Sequence, residues 1–422
     1  MRCQKYYFDV WVSPVLTATV LFPTIWFVGF NGTSYALGTA AASLFALTVW
    51  VLITFSQTPR VVLANMHVVR ILMFALGALA FQGMVAYAMV EQFHLVRFGE
   101  SIGLLLSMLA GAYYIATFIG GASETVVWRM LYGFTTVLAL MAVLNAIGWK
   151  PVTDPRFHKP VFIFAERSHF ALVLAPFLLW AAVMRRGIAG RAVAFALAFL
   201  LLLLVKNLTL VVLVGLVSLT VLRDRALFLA ACCLFLVIVR DVDYFLPRMQ
   251  LTTAASNLSA LVWLQGWDEA MTGLRKTMGV GLGFQQLGVN GATGTVAHVI
   301  AEQFRIVDGT ENGTLNLLDG GTLGAKLVGE LGVLGIGAVG ACTCLIYRSI
   351  RNLGEIAAQP AGSSATAFFY CCVVSFSLDL FIRGTGYFSP SVLLFLTGVF
   401  GLWQKGRLGS RTQIMNQGMA AN

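Results

Sequence analysis

The sequence predicts an all-α, polytopic integral membrane protein with about twelve transmembrane helices and one long loop on the outer side. Three observations support this fold class: 59% of the 422 residues are hydrophobic, only 11% are charged, and the mean hydropathy is +0.84. A soluble domain is typically about 45–50% apolar and about 25% charged. A disordered chain needs low hydrophobicity, and the alternating strands of a membrane barrel keep the mean hydropathy low. Composition therefore excludes the soluble and disordered classes and argues against a barrel.

Apolar stretches of about 20 residues, the length that a helix needs to cross a bilayer, define the individual spans. The first follows the start MRCQKYYFDVW, and it lacks the small-residue cleavage site of a signal peptide. We therefore expect a retained anchor. The stretches that we assign as spans lie near 10–30, 34–56, 71–90, 100–120, 125–146, 169–184, 226–239, 324–346, 366–382 and 390–403.

One further apolar run, residues 192–222, is interrupted by Lys206 and Asn207. A single helix of this length would extend about 46 Å at 1.5 Å per residue, which is long for a bilayer core of about 30 Å. Because cytoplasmic loops are rich in Lys and Arg, the basic residues at both ends place both ends inside. We therefore expect two short helices that meet at a Lys206–Asn207 tip in the outer leaflet. The flanking basic residues are Arg185, Arg186, Arg191, Arg223 and Arg225.

This arrangement makes residues 1–422 a single transmembrane domain with both termini inside. Most outer loops are short, and the exceptions are 147–168 and 240–322. Only the second is long enough for a small extramembrane subdomain, which we expect to contain short amphipathic helices.

The net charge of +10 would suggest nucleic acid as the partner of a soluble protein, but in a membrane protein basic loops explain it, and no nucleic-acid partner is expected. By this topology 15 of the 28 Lys and Arg residues lie inside and 13 outside. The outer cations would be explained by snorkelling or salt bridges, or by a groove that binds phosphate or pyrophosphate. They include Arg167, Lys206, Arg275, Lys276, Arg305, Lys326 and Arg383.

Four polar residues, Glu166 to His169, stand together at the outer start of a span in VFIFAERSHFALVLAP. One interpretation is helix capping, with Ser168 as the N-cap. The other is a general-base site with an anion clamp, made by a carboxylate, a guanidinium and an imidazole. An apolar surface beside Glu166 would raise the pKa of its carboxyl group. The candidate bases are Glu166 first, then His169 and Asp319.

Lysines and acidic residues elsewhere in the chain are also expected on the outer side of the membrane. Lys206 lies in a run of Leu and Val, where a charge is functional unless it snorkels to the interface. A helix over 323–340 would place Lys326 and Glu330 four residues apart, at the spacing of an ion pair. Asp319 lies just above the start of that helix, where it would cap the helix or act as a base.

The segment 257–288 predicts an amphipathic helix followed by a glycine-rich turn. Trp263, Trp267 and Phe284 would stack on sugar faces or act as interfacial anchors. Arg275 and Lys276 would face lipid phosphates. The later segment RGTGYFSP places Arg383 and Tyr387 in an outer loop. The five histidines have no metal-ligand spacing, and no nucleotide-binding motif is present.

Four segments resemble those of Wzy-type O-antigen and exopolysaccharide polymerases, in the O-antigen polymerase and ligase superfamily. AERSHFALVLAP resembles the E-x-S-H segment that opens a span there, although Arg167 replaces a frequent Pro. NLSALVWLQGWDEA with GVGLGFQQLG is similar to the segment that leads into that family's central outer loop. DGGTLGAKLVGELGVLG resembles the helix after that loop, and RGTGYFSPSVLLF resembles the outer end of the penultimate span. These segments lie between residues 160 and 395.

The resemblance implies a GT-C-like, metal-independent, inverting glycosyltransferase without a cofactor. Such an enzyme lies in the bacterial inner membrane, with cytoplasmic termini and a periplasmic active site. It transfers a growing glycan from undecaprenyl pyrophosphate onto the next lipid-linked repeat unit. Its expected partners are these lipid-linked glycans, the lipid bilayer and a chain-length-regulating co-polymerase. The residues expected to bind pyrophosphate or glycan are Arg167, Lys206, Arg275, Lys276, Arg305, Lys326, Glu330, Arg383 and Tyr387.

Other activities remain open as alternatives. Related O-antigen ligases, which transfer glycan to lipid A core, carry a His about ten residues before a Gly-x-x-Gly pair. Counted back from Gly332 and Gly335, that place holds Gly321 and Thr322, so the polymerase is favoured.

A transporter or flippase of lipid-linked sugars would use Lys206 and Asp379. Transporters often show internal repeats and midplane sites, whereas here the polar residues gather on one face. A structural scaffold for an envelope complex is the third alternative, and it would need no ionisable cluster.

Overall fold

The computed structural model describes residues 2–30, 34–55, 66–152, 160–185, 187–221, 231–232, 236, 258–289, 294–296, 320–358 and 363–420. These residues form thirteen helices: α1 (Arg2–Gly29), α2 (Ala36–Phe55), α3 (Met66–Met89), α4 (Leu95–Gly121), α5 (Glu124–Ala146), α6 (Arg167–Met184), α7 (Gly187–Val205), α8 (Leu208–Val221), α9 (Leu258–Lys276), α10 (Leu323–Leu331), α11 (Val333–Ala358), α12 (Ser364–Phe381) and α13 (Pro390–Ala420). Extended pairing in the described chain is limited to one bridge between Val161 and Phe164.

Eight of these helices are long and apolar enough to cross a membrane, namely α1 to α6, α11 and α12. The all-α, polytopic membrane class is therefore confirmed. The expected span near 226–239 lies largely outside the described residues, so the count of twelve stays a prediction. Helix α13 starts where a span was expected at 390–403.

The run 192–222 forms two helices, α7 and α8, as expected. The chain breaks because Lys206 adopts a left-handed backbone conformation with φ 49°. The side chain of Asn207 then caps α8 by accepting a hydrogen bond from the amide of Thr209 at 2.7 Å. The expected burial of Lys206 among Leu and Val is wrong, because its side chain is exposed at the tip of this hairpin.

Helices α6 and α12 form the centre of the bundle, with 78% of the residues of each buried. A helix that is apolar all round can be surrounded by other helices, and α12 packs against α6, α11 and α13. Phe177 of α6 meets Phe368 of α12 with ring centroids 5.2 Å apart. The loops at the ends of these two central helices are therefore attached to the most deeply buried of the eight long apolar helices.

The span expected near 324–346 is wrong in one respect, because the chain breaks at Gly332 into α10 and α11. Gly332 has φ 61° and ψ −131°, a conformation open to glycine alone. The short helix α10 packs instead against α9. Gly266 of α9 lies against Gly320, and Gly273 lies beside the carbonyl of Gly329.

At one end of the bundle, two carboxylates accept hydrogen bonds from backbone amides at the starts of helices. The carboxylate of Glu124 accepts a hydrogen bond from the amide of Ser364 at 2.6 Å. Asp9 accepts one from the amide of Ser123, also at 2.6 Å. Because α6 and α12 run in opposite directions along the bundle, the start of α6 and the end of α12 lie at the other end. The candidate site occupies that end.

Candidate functional site

A tight turn precedes α6, and the candidate site begins at this turn. The bridge between Val161 and Phe164 closes this turn, and Phe162 adopts a φ of 53° within it. Glu166 is the N-cap residue, with extended backbone at φ −139°. The expectation of Ser168 as N-cap is therefore wrong. Ser168 lies inside the first turn, and its hydroxyl donates to Glu166 Oε2 at 2.9 Å.

The carboxylate of Glu166 contacts side chains of two elements, α6 and the loop after α12. Arg383 Nη2, in the loop after α12, donates to Glu166 Oε2 at 3.4 Å. His169 Nε2, one turn into α6, lies 3.8 Å from the same oxygen. Burial alone would raise the pKa of Glu166, but the charges of His169 and Arg383 and the hydroxyl of Ser168 outweigh burial and hold that pKa at about 2. The expected rise of this pKa is wrong, because His169, one turn away, and Arg383, from a distant part of the chain, stabilise the carboxylate.

His169 links this cluster to the start of α2. Its Nδ1 lies 2.7 Å from the hydroxyl oxygen of Tyr35. Both residues line a small cleft between α1, α6 and the start of α13. The other lining residues are Thr24, Phe164, Leu172, Val173, Thr385, Pro390 and Ser391.

Besides His169 and Tyr35, the polar groups of this cleft are aliphatic hydroxyls. Thr24 is fully buried, and its Oγ1 has no hydrogen-bond partner in the part of the chain that the structure describes. Ser391 donates to Asp379 Oδ1 of α12 at 2.8 Å, and Ser389 lies 3.1 Å from the Ser391 oxygen. Hydroxyl groups beside an imidazole suit a hydroxyl ligand, which can both donate and accept a hydrogen bond.

A second cluster forms around the glycine-rich turn that follows α9. This turn was expected, and the amphipathic helix α9 before it is confirmed. The carboxylate of Glu330 accepts hydrogen bonds from the amides of Gln285 at 2.8 Å and Leu287 at 3.1 Å. Lys326, one turn earlier on α10, donates to Gln285 Oε1 at 3.4 Å. Glu330 therefore fastens the turn through its backbone, a role that the ion-pair spacing did not reveal.

The loop after α12 connects the two clusters. Arg383 reaches Glu166, while the ring of Tyr387 lies under the Lys326 ammonium group, with 5.2 Å from Nζ to the ring centroid. The amide of Gly384 donates to the carbonyl of Gly321 at 3.0 Å, which fastens this loop to the start of α10. Of the residues predicted from sequence, the structure thus gathers Glu166, His169, Lys326, Glu330, Arg383 and Tyr387 around one loop.

Arg167 and Lys206 also lie at this end. Arg167 Nη1 donates to the Lys206 carbonyl at 3.4 Å, while the buried Arg167 Nε has no hydrogen-bond partner among the described residues. Arg275 and Lys276 are exposed at the end of α9, where no described contact joins them to either cluster. Asp319 and Arg305 lie outside the described residues.

Sequence reasoning missed several polar residues of this end. Tyr35 follows the first span, and its only signal is a tyrosine near the outer interface. Arg97 was expected among the outer cations but was not assigned to the site. Its Nη2 donates to Gln285 Oε1 at 3.3 Å, which adds a second cation beside the turn. Glu269 and Gln265 are buried one turn apart on α9. Their signal is the i, i+4 spacing of two polar residues on a face that packs inward.

The tryptophans of α9 pack against protein. Trp263 Nε1 donates to the Phe381 carbonyl at 2.8 Å, so this residue anchors α9 to the end of α12. Trp267 lies 6.4 Å from the Trp263 ring, centroid to centroid.

No family model matches the chain, and no curated protein matches it. Among the described residues, no group of three His, Cys, Asp or Glu side chains is placed to hold a metal ion. The chemistry available is that of a guanidinium, a carboxylate and an imidazole in contact. Such a set can bind an anion and accept a proton at one place.

Proposed function

We propose that the chain is an inverting glycosyltransferase of the bacterial inner membrane that polymerises undecaprenyl-pyrophosphate-linked oligosaccharide repeats at the periplasmic face. One observation carries this proposal: Glu166, His169 and Arg383 meet at one end of a bundle of apolar helices. A lipid pyrophosphate donor needs a cation beside its leaving group, a base for the acceptor hydroxyl, and access from the bilayer. The resemblance of the same segments to Wzy-type polymerases supports this interpretation.

The cations would act on the leaving group. When the glycosidic bond to pyrophosphate breaks, negative charge develops on the leaving phosphate oxygen, and fixed positive charge lowers the barrier. Arg383 is 22% exposed and points toward Glu166, so its remaining N–H groups are available to an anion. Arg167 and Lys206 lie beside the same helix start. The donor is already activated, so the reaction needs no nucleotide.

The base in this mechanism is His169. Glu166 keeps a pKa of about 2 when His169 is protonated, so a proton taken up by this pair resides on the imidazole and the carboxylate stays ionised. Glu166 would instead hold the imidazole and stabilise the imidazolium that forms when His169 accepts a proton, as a carboxylate does in a catalytic triad. This assignment moves Glu166 from first candidate base to positioning residue.

The proposal is tested by complementation of a strain that lacks its own polymerase. The variants Glu166→Gln and Arg383→Ala are compared with wild type at equal membrane expression, and the glycan ladder is read on a gel. We expect wild type to restore a long ladder and both variants to leave single repeats, since loss of one charge-stabilising group costs about 10²-fold or more in rate. Arg351→Ala, an exposed change on α11, serves as the matched control.

Two results would contradict the proposal. Full ladders from both variants would remove these residues from the site. Absence of surface glycan of any length with wild type would favour an O-antigen ligase or a transporter of lipid-linked sugars. The transporter is the second candidate because Asp379 is buried within the span α12, and ionisable residues in spans often mark a transport path.

A further inference from the structure

We propose that Tyr35 is a catalytic residue that takes the proton of the acceptor hydroxyl and passes its own phenolic proton to His169. This inference rests on the proposed glycosyl transfer and names the group that meets the acceptor. The acceptor is the free hydroxyl of a sugar at the end of a lipid-linked glycan. Three contacts in sequence carry the inference: the cleft to Tyr35, Tyr35 to His169, and His169 to Glu166.

The proton of a neutral His169 ring can lie on Nδ1 or on Nε2. A neutral imidazole carries one N–H, and the carboxylate of Glu166 attracts it to Nε2, which lies 3.8 Å from Oε2. We therefore assign Nδ1 as the acceptor of the 2.7 Å hydrogen bond, with the Tyr35 hydroxyl as donor. The Nδ1 lone pair, which can take up a proton, therefore accepts the hydrogen bond of the Tyr35 hydroxyl. An acceptor hydroxyl reaches this base through Tyr35.

The cleft beside the phenol is lined by hydroxyl groups. Tyr35 and His169 line it together with Thr24, Thr385 and Ser391. The Ser391 hydroxyl donates to Asp379, and its oxygen lies 3.1 Å from the Ser389 hydroxyl, so Ser391 is satisfied within the protein. Among the described residues Thr24 Oγ1 is buried without a partner, and an unpaired buried hydroxyl is costly unless a ligand or water satisfies it. A sugar hydroxyl would supply the partner that Thr24 lacks.

The ring of Tyr35 is buried and packs against another aromatic ring. The ring is 6% exposed and lies 4.5 Å from the ring of Phe27, centroid to centroid. The hydroxyl is therefore held at one place without depending on its hydrogen bond. This rigidity suits a proton relay, because proton transfer needs fixed donor–acceptor distances. It also makes the removal of the hydroxyl alone a mild structural change.

The proton movements balance. The acceptor oxygen forms a bond to the anomeric carbon, and the bond from that carbon to the pyrophosphate oxygen breaks, with its electron pair leaving on pyrophosphate. The acceptor proton moves to Tyr35 Oη while the phenolic proton moves to His169 Nδ1. Tyr35 ends neutral and His169 ends as an imidazolium beside the Glu166 carboxylate. Reversal of the relay to water restores the site after the products leave.

The test uses the full-length protein, purified in detergent, with a synthetic polyprenyl-pyrophosphate oligosaccharide as donor and acceptor. Tyr35→Phe is compared with wild type and with Tyr6→Phe, whose side chain is 65% exposed. We expect Tyr35→Phe to lower kcat by about 10²-fold or more, the usual contribution of a proton-transfer group. The KM for the acceptor should change little, and Tyr6→Phe should match wild type.

A second readout separates proton transfer from simple support of the imidazole. Replacement of Tyr35 by 3-fluorotyrosine keeps the ring and hydroxyl but makes the phenol more acidic. If the phenol carries the proton, the alkaline limb of the kcat–pH profile moves to lower pH. Thermal melting of each variant reports whether the fold is intact.

The outcomes separate the two proposals. An active wild type with Tyr35→Phe within about fivefold of it, or with an unmoved alkaline limb, overturns the role of Tyr35 and leaves the glycosyl transfer standing. A rise in KM alone also overturns it, because Tyr35 would then only bind. An inactive wild type overturns the proposed function itself.

Discussion

The carboxyl group of Glu269 is fully buried on α9, and it is only half satisfied. Gln265 Nε2 donates to Oε1 at 2.9 Å, while Oε2 has no hydrogen-bond partner among the described residues. Burial raises the pKa of Glu269 to about 7, opposed by the hydrogen bond from Gln265 and reinforced by the charge of Asp268. Near neutral pH the folded protein therefore holds a proton here that the unfolded chain has released.

Stability should fall as pH rises through this group. The folded state binds the extra proton between the unfolded pKa of 4.5 and the folded pKa of about 7, so the contribution is fully present below pH 4.5 and is lost above 7. Glu269→Gln removes this dependence, and above pH 7 it should stabilise the fold by up to about 3 kcal/mol. Melting temperatures at pH 5 and pH 8 measure the effect. Glu91→Gln, at an exposed position, is the control. Equal changes in melting temperature between pH 5 and pH 8 for wild type, Glu269→Gln and Glu91→Gln would contradict the prediction.

Single residues were predictable where their own segment decides their chemistry. The sequence placed Glu166 and His169 at the start of a helix, and they lie there. It did not place Arg383 beside Glu166, because 217 positions separate them and only the packing of α6 on α12 joins them. The error in the pKa of Glu166 has two causes. The effect of His169 could be expected from its own segment, whereas the approach of Arg383 could not.

At the scale of elements, the break between α10 and α11 determines the second cluster. The carbonyl of Gly279 accepts a hydrogen bond from the amide of Val333 at 2.9 Å, so the glycine-rich turn lies directly on the break. A Cβ atom at Gly332 would come within 2.0 Å of the Gly279 carbonyl oxygen. The turn that Glu330 fastens can approach α10 only because this position lacks a side chain.

Gly332→Ala should therefore destabilise the protein, by at least about 2 kcal/mol from backbone strain alone. The thermal melting temperature measures this loss. Gly337→Ala is a matched control on α11, because a Cβ there meets nothing within 4 Å. That change should be neutral or stabilise by about 0.5–1 kcal/mol. A melting temperature for Gly332→Ala at or above that of Gly337→Ala would show that the break is not under this constraint.

The two helix breaks differ in how well the sequence foretold them. Lys206 and Asn207 interrupt an apolar run too long for one span, so length and charge predicted the α7–α8 break. Gly332 stands among many glycines that also fit close helix packing, and nothing local distinguishes it. Gly335, a neighbour, does serve packing, since a Cβ there would lie 1.9 Å from the Leu327 carbonyl oxygen.

At the scale of the whole molecule, the polar residues divide between two ends of an apolar bundle. One end holds Glu124 with Ser364, and Arg191 donates to the Ala357 carbonyl at 2.6 Å. The other end holds the Glu166 cluster and the exposed tip at Lys206. Composition and the order of spans predicted this grouping, because consecutive spans must alternate between ends.

Labelling of introduced cysteines tests which end faces outward. In intact spheroplasts, a membrane-impermeant maleimide should label Lys206→Cys and leave Glu355→Cys unlabelled until the membrane is lysed. Both positions are exposed. The wild-type protein gives the background from native cysteines, of which Cys371 and Cys372 are buried. Labelling of Glu355→Cys alone in intact cells would place the site inside, against the proposed periplasmic reaction.

Whole-molecule prediction succeeded where composition and length are sufficient. It supplied the membrane class, the short hairpin and the amphipathic helix before the glycine-rich turn. It did not supply the cleft, because Thr24, Tyr35 and Ser391 come from widely separated segments and each is unremarkable alone. Their proximity is a property of the folded bundle.

The spread of the site along the chain has a consequence during synthesis. Tyr35 enters the membrane early, Glu166 and His169 midway, and Arg383 with the final helices. Because chains fold from the N-terminus as the ribosome delivers them, the Glu166–Arg383 contact does not exist until the last hairpin, α12 with α13, has been inserted. A chain that stops before α12 lacks the guanidinium altogether. Unfinished copies left in the bilayer therefore cannot carry the complete set of site residues.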